Sequence, residues 1–284
     1  PNDKHFIGEF RNGRINGTGI WSNKKNSEKY VGSFIKNKRS GNGYYIYANG
    51  SNSFTGTFFD NKPEGYGASV KIEDKTVRVL EGFFKDGLPS GHNIYLDLQN
   101  EKYIGEFKNN YPSGYGVQYL SDGSKIIALF KNARPIKNVL IFGPAGDLAF
   151  CKKISGLSFE ECIEGKAKDI APTLKSEFIN LSEETRSTIQ NNLKDLGIYT
   201  DTVDGKWGKE TFFAITAYNA VNLSNLDFSS ESQIDKTINS ILSESPTKSF
   251  VSCFENTDYC TDVKILCSYA SYFDKKTSDY DNSI

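Results

Sequence analysis

Apolar and polar positions alternate along the first half of the chain, and glycine punctuates the alternation. Phe6-x-Gly8-x-Phe10 returns as Tyr30-x-Gly32-x-Phe34, Phe54-x-Gly56-x-Phe58, Leu80-x-Gly82-x-Phe84 and Tyr103-x-Gly105-x-Phe107. A period of two puts the outer pair of each phrase on one face of a strand, and the glycine between them admits a close neighbour. Polar turns follow, such as Arg11-Asn12-Gly13, Lys85-Asp86-Gly87 and Lys108-Asn109-Asn110, where Asn, Asp and Gly accept positive φ. A second strand then carries another glycine pair or its remnant: Gly17/Gly19, Gly41/Gly43, Gly65/Gly67, Gly91 with Asn93, and Gly114/Gly116. Some of these strands close on Asn49-Gly50 or Asp122-Gly123. Each unit is predicted to be a β-hairpin, marginal alone and stable when stacked on its neighbours. The first glycines stand 24, 24, 26 and 23 residues apart, and a fixed period in the twenties marks a repeat array. Ile126-x-Ala128-x-Phe130 follows 23 residues after the last copy and reads as a degenerate closing unit.

These aromatic-glycine phrases, recurring in register, resemble the MORN repeat family, which implies a long, twisted, single-layer sheet of hairpins. At the other end, Pro1-Asn2-Asp3-Lys4-His5 resembles a linker between repeats such as Asn26-Ser27-Glu28-Lys29. The sequence is therefore expected to start partway through a longer array or after a removed leader.

The pattern changes in the second half. Val139–Phe142 and Leu148–Cys151 read as short strands around the turn Gly143-Pro144-Ala145-Gly146. Beyond Pro172 the period becomes helical. Ser182 is predicted to cap a helix with Glu183 and Glu184 in its first turn, Ile189, Leu193 and Leu196 on one face, and Gly197 at its end. A tight connection leads to a second helix with Thr211, Ala214, Ile215 and Tyr218 along one face. Ser230-x-x-Gln233 has the form of a capping box for a third, carrying Ile234, Ile238, Ile241 and Leu242.

The run Ile189-Gln190-x-x-Leu193-x-x-Leu196-Gly197-x-Tyr199, followed by Val203-Asp204-Gly205-x-Trp207-Gly208-x-x-Thr211-x-x-Ala214-Ile215-x-x-Tyr218, resembles the peptidoglycan-binding domain 1 family. The lead-in from Leu181 to Arg186 is also similar to versions of this module in bacterial envelope proteins. Thr200-Asp201 lacks the usual glycine and Tyr218-Asn219 stands for the usual Phe-Gln. The resemblance implies a small three-helix bundle and a peptidoglycan stem peptide as ligand. Its site would be the loop residues Tyr199, Asp204, Gly205, Trp207, Gly208 and Thr211. The residues themselves also suit structural work. Asp204-Gly205 makes a sharp turn in which Asp204 accepts backbone N–H bonds. Trp207 fills the gap between helices, and Thr211 bonds a nearby backbone group. Exposed N–H groups at the following helix start suit a carboxylate.

Composition narrows the function. The 284 residues are 37% hydrophobic and 13% aromatic, enough for a packed core, with no apolar run long enough to span a membrane and no visible signal peptide. Residues 1–135 hold 19 Lys+Arg against 13 Asp+Glu, or +6, and the remainder 15 against 22, or −7. A positive sheet attracts anionic polymer or lipid. All five cysteines, Cys151, Cys162, Cys253, Cys260 and Cys267, lie in the second half. They are disulfide candidates in an exported chain, Cys151 with Cys162 and two of the last three by proximity; buried thiols of a cytosolic protein are the alternative. The only histidines, His5 and His92, stand far from every cysteine in sequence, so no zinc site and no Cys–His nucleophile is expected. Neither a nucleotide-binding loop nor a deep cleft for paired carboxylates is expected either.

The sequence thus predicts a multidomain α+β chain. A MORN-type hairpin array spans 1–135, a connecting segment with short strands 136–175, a helical peptidoglycan-binding-like domain 176–245 and a cysteine-containing tail 246–284. The tail is expected to hold a short helix around Val263–Ala270 and a frayed end. The expected function is non-enzymatic, with no cofactor or metal. It is a scaffold of the bacterial periplasm or cell envelope, tethered to peptidoglycan and presenting the sheet to an envelope protein. Alternatives are a structural subunit in which both modules make protein contacts, including self-association, and an anionic-lipid-binding array. Nucleic acid is not an expected partner, and any membrane contact is peripheral.

Overall fold

A computed structural model of the chain describes residues 3–48, 50–73, 76–97, 101–144, 148–155, 158–164, 172–224, 228 and 230–244. Asn49 and the tail, with Cys253, Cys260, Cys267 and the predicted short helix, lie outside the described residues.

Among the described residues, fourteen strands form one antiparallel sheet in chain order. Seven hairpins compose it: β1 (Lys4–Arg11) with β2 (Arg14–Asn23), β3 (Glu28–Ile35) with β4 (Lys38–Ile46), and β5 (Ser53–Phe59) with β6 (Lys62–Glu73); β7 (Thr76–Lys85) with β8 (Leu88–Asp97), and β9 (Lys102–Lys108) with β10 (Tyr111–Tyr119); then β11 (Lys125–Lys131) with β12 (Arg134–Phe142), and β13 (Leu148–Ser155) with β14 (Ser158–Glu164). Six of these hairpins turn on two residues that both have positive φ, from Asn12-Gly13 (52° and 69°) to Asn132-Ala133 (50° and 63°). Such turns match the right-handed twist of the flanking strands.

The aromatic phrases work by folding a ring over glycine. Phe6, Trp21, Tyr30, Tyr45 and Phe54 form one cross-strand row. The Tyr30 ring lies over Gly43, where an added Cβ would fall 2.5 Å from its carbons, and Tyr103 lies over Gly116 in the same way. Each ring also meets the next repeat edge-on: Phe6–Phe34 at 5.3 Å, Tyr30–Phe58 at 5.1 Å, Phe54–Phe84 at 4.9 Å and Tyr103–Phe130 at 5.1 Å. Backbone bonds latch the repeats as well, with the Asn37, Asn61, Gly87 and Ala133 N–H groups donating to carbonyls one repeat back.

The sheet continues through the predicted connecting segment. Leu140, on β12, stands opposite Phe150 on β13, and Cys151 opposite Cys162. Four helices follow among the described residues: α1 (Pro172–Asn180), α2 (Glu183–Asp195), α3 (Lys209–Leu223) and α4 (Glu231–Ser243). Ser182 and Ser230 cap α2 and α4 as expected, accepting from Thr185 N and Gln233 N. Gly197, at φ 72°, ends α2. The bundle has one helix more than predicted, because Leu174 and Phe178 of α1 are fully buried in it.

Sheet and bundle share one core. Ile104, Val117, Ile127 and Leu140, successive neighbours on the face opposite the aromatic row, belong to one cluster with Phe212, Phe213 and Ala217 of α3. The predicted face of α3, Thr211, Ala214, Ile215 and Tyr218, is buried, and so is every other side of the helix from Thr211 to Val221. A helix lying between a sheet and other helices needs no polar side. Polar bonds fix the dock: Lys102 Nζ to Gly197 O at 2.8 Å, Tyr119 OH to Ile198 O at 3.1 Å, and Lys125 Nζ to both Glu210 carboxylate oxygens at 2.7 and 2.5 Å.

Candidate functional site

The loop between α2 and α3 winds around one side chain. Gln190, fully buried on α2, accepts the Asp204 and Gly205 N–H groups on Oε1 at 3.0 and 2.8 Å. Its Nε2 donates to Lys206 O at 3.0 Å and Thr211 Oγ1 at 3.1 Å. Asp204 closes the turn by accepting Lys206 N–H at 2.9 Å, a bond that holds its carboxyl below the usual carboxylate range. Gly205 takes φ 65°, and a Cβ there would stand 3.0 Å from Ser187 Oγ. Thr211 donates to Lys206 O at 3.1 Å.

The aromatic members serve as packing. Tyr199 is buried and donates to Thr202 O at 2.9 Å; burial pushes its phenol up. Trp207 packs on Phe178 of α1 and Phe212 of α3, ring centres 5.4 and 6.2 Å away. Gly208 caps α3 without a side-chain hydrogen bond to the helix start.

Five of the six predicted residues, Tyr199, Asp204, Trp207, Gly208 and Thr211, line one open surface pocket of about 560 Å³, joined by Asp201, Lys206, Lys209, Glu210 and Pro144. Gly205 stays behind it as the turn. The pocket therefore presents two lysines and a helix N-terminus beside three carboxylates, of which Glu210 is engaged by Lys125 and by Thr200 Oγ1 at 2.8 Å. The organiser Gln190 stood in the sequence signature, but nothing local distinguishes it from a surface glutamine on a helix. Among the described residues, no group of three or more His, Cys, Asp or Glu side chains gathers as a metal site.

The sheet offers a second surface. Its six two-residue turns lie along one rim, each flanked by an exposed pair: Arg11–Arg14, Ile35–Lys38, Phe59–Lys62, Lys85–Leu88, Lys108–Tyr111 and Lys131–Arg134. Every pair contains a cation, and successive pairs stand two strands, about 10 Å, apart.

The MORN repeat family model matches residues 6–25, 30–52, 54–68, 81–92 and 103–125. The chain carries five MORN repeats. The matched stretches coincide with the first five hairpins. The sixth, β11–β12, continues the MORN sheet with Ala128 where the earlier units have glycine. No curated protein matches the chain. MORN repeats point to contact with proteins or with membrane lipid.

Proposed function

We propose that the chain is a non-enzymatic scaffold of the bacterial cell envelope, held to peptidoglycan through the helical module and presenting the MORN sheet to a partner protein. The observation that carries this is the gathering of five signature residues on one pocket at the start of α3. A stem peptide bears both carboxylates and amines. The α3 N-terminus with Lys206 suits the former, and Asp201 with Asp204 suits the latter. Export would also oxidise Cys151 with Cys162, which the β13–β14 register sets opposite each other; peptide mapping of the unreduced chain reads this directly.

The test uses the whole chain, since bundle and sheet share a core. Wild-type protein is expected to sediment with purified sacculi. Lys206→Glu, at a side chain 81% exposed, is expected to weaken retention by about tenfold, one decade of affinity. Wild-type protein left in the supernatant while a known wall binder pellets would sink the reading.

The turn rim favours a second reading, an anionic membrane surface. Eight cations alternate there with Ile35, Phe59, Leu88 and Tyr111, all exposed, and exposed apolar groups among cations suit a bilayer interface. Asp60 and Asp86 offset only Lys38 and Lys62. The chain is expected to float with phosphatidylglycerol vesicles at low salt and not with phosphatidylcholine. Reversing Lys85, Lys108 and Lys131 to Glu should reduce partitioning about a hundredfold or more, at ~1 kcal/mol per charge near the surface. Equal flotation of wild type and the triple variant would remove the rim from consideration.

A further inference from the structure

Among the five matched repeats, the ring-over-glycine ladder of the aromatic face is broken once. In the fourth repeat Leu80 replaces the first aromatic, and its cross-strand neighbour on β6 is Ser69. The row therefore runs Tyr45, Phe54, then Ser69 and Leu80, then Tyr95 and Tyr103. Asn93 stands where other repeats have the second glycine, in the space a ring at position 80 would cover, and its Nδ2 donates to the Phe83, Ser90 and Gly91 carbonyls. The first-position ring meets the next repeat at about 5 Å at four steps, whereas Leu80 offers no ring to Phe107.

A cavity of about 650 Å³ opens at this gap, with Phe54, Ser69, Leu80 and Tyr95 in the row and Phe84 and Phe107 beside it. The corresponding hollow beside Trp21 and Tyr30, where the ladder is intact, measures about 180 Å³. Among the described residues lining the larger cavity, Lys71 and Arg78, directly opposed across β6 and β7, are the only charged ones, and none is a carboxylate. Arg78 is bonded to Glu73 at 2.8 Å; Lys71 is exposed and has no ion pair among the described residues.

We infer that this gap is a binding site for a small organic anion with a planar ring, an aryl carboxylate in chemical class. The ring takes the place of the missing rung and meets Phe84 and Phe107 edge-on, as the protein's own rings do elsewhere. The carboxylate lies toward Lys71, the end of the cavity where charge is complementary. The volume falls within the usual range for such ligands. This site is on the opposite face of the sheet from the bundle and is independent of the wall-binding reading.

The experiment is a fluorescence titration of the full chain with 2-naphthoate. Wild type is expected to bind it, and 2-naphthalenemethanol, the same ring without charge, about tenfold more weakly. Leu80→Phe/Asn93→Gly restores the repeat phrase and closes the gap. It should lose about tenfold or more in affinity while melting no lower than wild type. Ser69→Phe fills the same space from β6 and serves if the double variant fails to fold. Lys71→Glu should lose about fivefold. No naphthoate binding by wild type, or undiminished binding by a folded gap-filled variant, overturns the proposal. So does a wild-type dimer that ignores naphthoate and becomes monomeric when the gap is filled, since the occupant is then a second copy of the chain. Equal affinity for the uncharged ring overturns the assignment to an anion.

Discussion

Gln190→Leu is expected to destabilise the chain by about 2–4 kcal/mol and to abolish any ligand binding at the α2–α3 pocket. Leucine is close in volume and apolar, so the loss would come from hydrogen bonds rather than a cavity. The Gly205 N–H, bound to Oε1 at 2.8 Å, and the Asp204 N–H, at 3.0 Å, would both lose their acceptor. Lys206 O would lose one of two donors, keeping Thr211 Oγ1. Leaving a buried backbone donor unmet costs roughly 1–3 kcal/mol each, while an exposed loop would recover part of this from water. Gln190→Glu separates the terms. It keeps an acceptor for both N–H groups but replaces the Nε2 donor with an oxygen facing Lys206 O. Urea denaturation of both variants is the measurement. A Leu variant within about 0.5 kcal/mol of wild type, the range of ordinary surface substitutions, would mean that Gln190 does not organise the loop.

The repeats and the loop were legible for the same reason: their chemistry is local. A ring two residues before a glycine, followed by a positive-φ turn, specifies a hairpin within one unit. Ser182, Gly197 and Asp204-Gly205 likewise act on backbone groups a few residues away. The docking of bundle on sheet was not legible. Tyr103-Ile104 and Ile126-Ile127 are apolar on both faces of their strands, as a doubly covered sheet requires, but so is Phe6-Ile7, whose Ile7 is 49% exposed. In the third repeat the equivalent second-face position is Thr55, and that end of the face is left uncovered by the bundle. The period-based reading of α3 was right for the four residues it traced and incomplete for the rest. A helix buried all round has no polar stripe to reveal its axis, so the sequence shows only the face that one chooses to trace. Gln190 is the opposite case, a polar residue whose importance comes wholly from a loop fourteen and fifteen positions further on.

Gly43→Ala is expected to cost about 1–3 kcal/mol, occasionally more, as overpacking of a core does, despite being a single methyl on an extended strand. That methyl would stand 2.3 Å from the Tyr30 hydroxyl oxygen and 2.5 Å from two ring carbons, so the ring must leave its seat. Tyr30 is fully buried, meets Phe34 at 5.0 Å and Phe58 at 5.1 Å, and donates to Ser33 O at 3.1 Å; displacing it loosens two repeats together. Burial also pushes its phenol from an ordinary 10 up to about 12. Because the folded value is the higher one, the stability this contributes is complete below pH 10 and is lost as pH rises from 10 through about 12. Spectrophotometric titration of the variant should therefore show one tyrosine ionising closer to 10. The fourth repeat supplies the rescue: Leu80 stands there in place of the aromatic and Asn93 in place of the second glycine. Tyr30→Leu/Gly43→Asn should accordingly be more stable than the sum of its single changes, by about 1 kcal/mol or more of coupling between touching residues. Strict additivity of the two changes, or an unshifted tyrosine in Gly43→Ala, would show that ring and glycine do not act as one unit.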